Sequence, residues 1–262
     1  MTDNFTLSDH FSQYFNLSIA NTTELKQEVF RIRYQVYCEE LGYEPLDRFP
    51  DQMERDTYDE RSIHCILQHK PTGIYAGCVR LVLSDQNNPE AKFPFENVCS
   101  DHLIDFNQTA RSHFGEVSRL AVISRFRKRE GEQKTPSGLI VFDEKKKKKE
   151  KEEQNQQRRF PVIALSLYLA ASSLGLDLGL DYAVTLMEPR LARHLKMSGL
   201  ISRPVGQVID FHGKRGPFAM ERQEVLAGFS KNTEVNGLFQ NIQANMRREL
   251  SHKFYNHNFC TT

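Results

Sequence analysis

GEVSRLAV, residues 115–122, is the stretch whose reading decides the fold. Val117, Leu120, Ala121 and Val122 are apolar and Gly115 punctuates the start, which predicts a β-strand. Glu116 and Arg119 sit inside it. Strand side chains alternate between faces, so strict alternation sends the two charges to opposite sides. Both are costly in an apolar strand unless paired or hydrogen-bonded.

The rest of the chain bounds what such a strand can belong to. Its 262 residues make one large domain or two small ones, with ample material for a core. The 35 Lys and Arg nearly cancel the 34 Asp and Glu, so global charge predicts no nucleic-acid partner. Cys38, Cys65, Cys78, Cys99 and Cys260 are scattered without metal-ligand or disulfide spacing. That pattern predicts buried thiols in a reducing compartment and no metal. The N-terminal MTDNFTLSDHF is polar and acidic, unlike a signal peptide. The longest apolar run, 161–176, is broken by serines and stops at Asp177; it is short for a membrane span and predicts a buried core helix. The expectation is a cytoplasmic protein with no transmembrane segment.

Periodicity predicts a short helix over 2–14, a strand over 15–21 and then a helix over 21–41. Leu25, Val29, Ile32, Val36 and Leu41 recur at near-helical spacing there, giving about five turns closed by Gly42. A polar loop follows over 44–61. Strands SIHCILQHK (62–70) and GIYAGCVRLVL (73–83) flank a KPTG turn. After the 115–123 strand come a helix over 160–175, a strand over 181–188 and a helix over 189–200. GQVIDF and PFAMER predict a hairpin around HGKRG, and 236–256 a final helix. This order fits a mixed α/β sandwich rather than a βαβ repeat. The whole chain, 1–262, reads as a single domain. Its charged insertion at about 124–159, with the run KKKKKEKEE, cannot bury a core and is expected to be mobile.

Several further charges lie in or beside core-forming elements. Arg33 and Tyr37 share a face of the long helix. ERDTYDER places Asp56 and Asp59 three apart beside Tyr58, and Arg80 lies in the apolar strand AGCVRLVL. With Glu116 and Arg119 these read either as unrelated ion pairs or as one polar site; pattern alone leaves both open. Each Asp also fits a loop cap.

RYQVYCEELGY, ERDTYDE, CVRLVL and EVSRLAV, in this order, resemble the signature of the acyl-homoserine-lactone synthases. The matching residues are Arg33, Tyr37, Tyr43, Asp56, Asp59, Arg80, Glu116 and Arg119, with agreeing spacing across 33–119; Tyr43 stands where that family has Trp. LMEPRLARHLKMSGL and VGQVIDFHGKRGPFAM resemble the PEP-CTERM/exosortase system-associated acyltransferases of bacteria, relatives of the N-acyl amino acid synthases. The resemblance implies the fold of the GCN5-related N-acetyltransferases (GNAT), an α/β mixed sheet flanked by helices with a splayed central strand. A β-bulge in that strand frees a backbone N–H to hold a thioester oxygen, and would let Glu116 and Arg119 face one site.

The implied activity is transfer of a fatty acyl group from an acyl-acyl carrier protein thioester to a small amine such as an amino acid. Glu116 is the expected catalytic base. Arg33, Tyr37, Tyr43, Asp56, Asp59, Arg80 and Arg119 are expected to form the acceptor site and its charge network. Coenzyme A-dependent members usually carry a Gly-rich pyrophosphate turn before the 160–175 helix. This chain has QQRRFPVIA there, which favours an acyl-phosphopantetheine donor with no tightly bound cofactor. Arg125, Arg127, Lys128 and Arg129 offer charge to an acidic carrier protein. The competing readings are a homoserine-lactone synthase using S-adenosylmethionine and a non-catalytic acyl-carrier-binding module. His212 reads as a turn or hydrogen-bonding residue and His64 as a core or edge residue.

Overall fold

The computed structural model describes residues 6–127 and 162–257. The chain begins with α1 (Leu7–Tyr14), β1 (Phe15–Ile19) and α2 (Thr23–Tyr34). β2 (Ser62–His69), β3 (Tyr75–Leu83), β4 (Phe114–Val122) and the short α3 (Ser124–Arg127) follow. The remainder comprises α4 (Val162–Asp177), β5 (Tyr182–Met187), α5 (Pro189–Met197), β6 (Arg203–Pro204), β7 (Ile209–Asp210), β8 (Lys214–Glu221), α6 (Arg222–Ser230) and α7 (Thr233–His257). Of the charged insertion expected at 124–159, residues 128–159 lie outside the described residues.

The strands form one sheet in the order β1-β2-β3-β4-β5-β8-β6, with β7 paired to β8. All these pairings are antiparallel except β4 with β5. α2 packs on one face, against β2, β3 and β4. α4 covers the other face, backed by α7, and is buried on every side as its apolar run predicts. This is the mixed sheet of a GNAT-type fold, with β4 at its centre.

Two irregularities of β4 decide what the fold can do. Its parallel pairing with β5 covers only Phe114–Glu116 against Tyr182–Val184, and β5 then continues against β8 alone. The two strands therefore splay after Glu116. On the other edge the register slips: Arg80 opposes Ser118 while Cys78 opposes Ala121. Arg119 and Leu120 together thus oppose Val79, which is a β-bulge. Arg119 sits at φ +51°, rare for a residue with a side chain. Beside it a Cβ on Gly77 would fall 2.6 Å from the Ala121 carbonyl oxygen, so the close approach of β3 to the bulge requires glycine.

Three departures from the sequence reading have physical causes. The helix expected over 21–41 changes to π-helical turns at Gln35–Glu40, which carry Tyr37 inward. The hairpin strands are displaced: β8 starts at Lys214, and its turn is tightened by His212 at φ +51° and Gly213 at φ +96°. α6 continues directly from β8 without a loop, so no turn signal marks its start. It seats on the α5–β6 connection through a glycine pair, since a Cβ on Gly228 would fall 1.9 Å from the Gly199 carbonyl oxygen.

Candidate active site

Arg33, from the last turn of α2, is wholly buried under the sheet. Its Nε donates to Glu54, and its Nη1 donates to Asp59 Oδ1 at 2.7 Å. Arg80, equally buried on β3, donates through Nη1 to Asp56 Oδ1 (2.6 Å) and Asp59 Oδ1 (2.7 Å), and through Nε to Ser118 Oγ (3.1 Å). Arg119 donates through Nε to Glu54 Oε1 (3.1 Å) and brings Nη2 to 3.4 Å from Asp56 Oδ2. Three guanidinium groups meet three carboxylates, which is what such burial requires.

Local structure aims the acidic members. Asp56 and Asp59 form the capping box of the 3₁₀ turn Thr57–Arg61: Tyr58 N donates to Asp56 Oδ1 (2.9 Å) and Asp56 N to Asp59 Oδ2 (2.8 Å). Capping and ion pairing are therefore one arrangement here, not alternatives. Glu54 is anchored by its own N–H on the Phe30 carbonyl (3.1 Å). Burial alone would raise the carboxyl pKa of Glu54, but Arg33 and Arg119 outweigh it and hold the group below its usual value. Burial likewise opposes, and Arg33 with Arg80 reverses, the shift of Asp59, which lies well below the carboxylate range. His64 stands behind Asp59 at 3.6 Å; burial first and Arg33 second push it down to about 3, so it stays neutral.

Glu116 lies outside this balance. At 2% exposure it lines the pocket left by the splay and accepts one hydrogen bond, from Phe95 N at 2.8 Å. Burial pushes its carboxyl up to about 8, only partly opposed by that bond and by Arg80 and Arg119. Glu96 sets the donor's position. It accepts from Phe93 N at 2.7 Å and takes both guanidinium nitrogens of Arg111, at 2.5 and 2.9 Å. A buried, neutral carboxyl in a pocket wall is poised to exchange a proton near neutral pH.

The structure brings together all eight residues that the resemblance marks. Tyr37, Tyr43, Asp56, Glu116 and Arg119 line the pocket, and Arg33, Asp59 and Arg80 brace it from behind. Tyr37 donates its hydroxyl to the Leu120 carbonyl at the bulge (2.9 Å). Tyr43 stacks on His212 with centroids 4.4 Å apart, so the β7–β8 turn closes over the Tyr43 side of the pocket. The sequence reading did not single out Glu54, Ser118, Tyr168 of α4 or Arg215 of β8, and gave His212 a turn or hydrogen-bonding role. Glu54 heads the quoted ERDTYDER, two residues before Asp56, which was the available signal.

Of the expected carrier-docking set, two members are described. Arg125 is exposed on α3, but Arg127 is buried against Glu40, which also accepts from Ser124 N (3.0 Å); it offers no surface charge. Lys128 and Arg129 lie outside the described residues. Among the described residues no group of three or more His, Cys, Asp or Glu is placed to hold a metal, and no helix is long and apolar enough to cross a membrane.

Residues 32–135 match the family described as Acetyltransferase (GNAT) domain. No curated protein matches the chain. Among solved structures it is similar to TofI, in a ternary complex with an inhibitor and MTA, at TM-score 0.54 and 17% identity, covering 83% of this chain and 96% of that one. It is similar to BjaI, a CoA-dependent acyl-homoserine lactone synthase with SAM and isopentyl-CoA, at TM-score 0.53 and 16% identity (83% and 88% covered). It is also similar to FeeM, an N-acyl amino acid synthase from uncultured soil microbes, at TM-score 0.53 and 13% identity (82% and 93%). These likenesses show the fold, and the match over residues 32–135 supports an acyltransferase enzyme.

Replacing Glu54 by Gln keeps the shape and removes one of three matched negative charges. The variant is expected to lose about 3 kcal/mol or more in urea unfolding, the cost of leaving a buried charge uncompensated. The folded pKa values of Glu54 and Asp59 lie below their unfolded values, so their contribution is present above about pH 4 and lost as pH falls. Acid destabilisation should therefore be shallower in Glu54→Gln. Equal stability of variant and parent at pH 7 would refute the role assigned to the network.

Proposed function

We propose that this protein is an N-acyltransferase that moves a fatty acyl group from an acyl-acyl carrier protein to a small amine such as an amino acid. The observation that carries the reading is Glu116, a buried carboxyl with a raised pKa in the wall of a strand splay. The splay offers a slot for the extended acyl-phosphopantetheine arm, and the bulge at Arg119 and Leu120 breaks the ladder beside it, freeing backbone for a developing oxyanion. The amine nitrogen attacks the thioester carbon and passes its proton to Glu116. The C–N bond forms, the C–S bond breaks, and the sulfur leaves as the thiol with a proton from the site. A base titrating near 8 lies closer to an ammonium than an ordinary carboxylate does, which eases the transfer.

The carrier protein as donor is supported by the surface of α5. Arg190, Arg193, Lys196 and Met197 are exposed on this helix, Met197 at 78%, while Ala192 and Leu195 are buried beneath. Arg190, Leu191 and His194 reach the pocket, so the basic face adjoins the slot mouth. It replaces the inward-turned Arg127 as the docking surface for an acidic carrier. Membership of a PEP-CTERM/exosortase system belongs to the same proposal and rests on the C-terminal resemblance. A homoserine-lactone synthase using S-adenosylmethionine is the second reading, favoured by the eight residues gathered at the pocket.

Product mass spectrometry with purified protein, a long-chain acyl-carrier protein and a panel of amines separates these readings: an N-acyl amine is expected, and an acyl-homoserine lactone formed only with S-adenosylmethionine would overturn it. In the same assay Glu116→Gln should lower kcat/KM by about 10²–10⁴. The parent's kcat/KM should rise with pH through about 8 as Glu116 loses its proton, and the variant should lack that limb. An undiminished rate in a folded variant removes Glu116 as the base.

Reversing two exposed charges of α5, Arg193→Glu with Lys196→Glu, should raise KM for the acyl-carrier protein about tenfold or more with little change in turnover at saturating donor, the pattern of lost uniform binding. The parent's KM for the carrier should rise with salt. An unchanged KM would remove α5 as the docking face.

A further inference from the structure

Arg215 differs from the three guanidinium groups of the ion-pair network. Arg33, Arg80 and Arg119 share Glu54, Asp56 and Asp59, and that set has no charge to spare. Arg215, opening β8, lines the same pocket, and its Nε is buried with no hydrogen-bond partner. Among the described residues it forms no ion pair. Glu44, which also lines the pocket, turns to Arg48 at 2.7 Å instead. The guanidinium carbon stands 5.6 Å from the Tyr43 ring centroid, the ring that stacks on His212. A cation held over an aromatic face gains only about 0.5–2 kcal/mol, which does not replace a carboxylate.

A guanidinium that lines a binding pocket without an ion-pair partner, half-buried and with its Nε buried and unbonded, calls for an anionic ligand group. We infer that Arg215 binds the carboxylate of the acceptor, so that the acceptor class is an α-amino acid rather than a simple amine. The inference rests on the proposed N-acyl transfer and adds the acceptor's second charge. The placement favours the acceptor over the donor. Arg215 lies over Tyr43, on the side closed by the β7–β8 turn, whereas the exposed basic residues available to a donor's phosphate stand on α5 at the mouth. The pocket then offers both halves of a zwitterion their partners. Arg215 takes the carboxylate, and the amine is left facing Glu116. A guanidinium holds a carboxylate through two parallel N–H bonds, which also fixes the direction of the amine.

The test uses the twenty L-amino acids and, for each that binds, its primary amide, which keeps the ammonium and removes the carboxylate. Affinities are measured by calorimetry on the full chain, and kcat/KM with an acyl-carrier donor. The parent should prefer the acid over its amide by about tenfold or more, as for a charge-assisted pair. Arg215→Met should bring that ratio close to one, and Arg215→Lys should keep part of it. Thermal unfolding confirms that both variants fold; if Arg215→Met does not, the ratio in Arg215→Lys and Arg215→Gln decides. A ratio unchanged by substitution overturns the inference, and so does a parent that treats acid and amide alike. A rise in KM confined to the acyl-carrier donor assigns the cation to the donor's phosphate and also overturns it. Binding of acids through Arg215 without acylation of any of them would leave this inference standing and sink the proposed transfer.

Discussion

Arg33 can be buried beneath this sheet only because Glu54 and Asp59 are buried with it. An isolated guanidinium there would cost several kcal/mol, and so would either carboxylate alone. The pairing therefore ties the end of α2 to the 54–61 loop, and Arg80 and Arg119 extend the tie to β3 and the bulge of β4. The six groups settle together or not at all. In doing so they fix one wall of the pocket, since Asp56 and Arg119 face it from the front while Arg33 and Arg80 stay behind.

The same balance explains why Glu116 is different. It sits on β4 just before the bulge, within the field of Arg80 and Arg119, yet neither cation is free to pair with it. Burial then dominates and its carboxyl stays protonated to about pH 8. Its one hydrogen bond comes from a loop held by the Glu96–Arg111 pair, outside the network. A matched set of charges beside an unmatched acid separates two environments: the first shapes the pocket, and the second leaves a carboxyl with the raised pKa that the proposed proton transfer needs. The splay of β4 from β5 puts the acid where a ligand can reach it.

Much of this was legible in the sequence, for reasons that differ by element. β2, β3, β4 and α4 carry strong apolar patterns, and their places agree with the reading to within a few residues. Glu116 and Arg119 stood out because charge inside an apolar strand is expensive. Glu54 stood out only by heading ERDTYDER, since an acidic residue in a polar loop looks like any solvated charge until Arg33 is known to lie beneath it. The π-helical turns at Gln35–Glu40 leave the apolar spacing nearly unchanged, so the sequence showed one long helix there. α6 begins where β8 ends, with no Gly or Pro to announce it. Arg215 was not singled out, and His212 read as a turn or hydrogen-bonding residue, because their neighbour Tyr43 is brought to them only by the fold.

The most direct measurement is the protonation state of Glu116. Infrared difference spectra of the parent against Glu116→Gln, taken across pH 5–10, report the carbonyl band of a buried carboxylic acid. The structure predicts one such band at neutral pH, absent from the variant and titrating near pH 8. A parent whose Glu116 is already ionised at pH 6 would contradict the separation of this acid from the ion-pair network, and with it the chemistry assigned to the site.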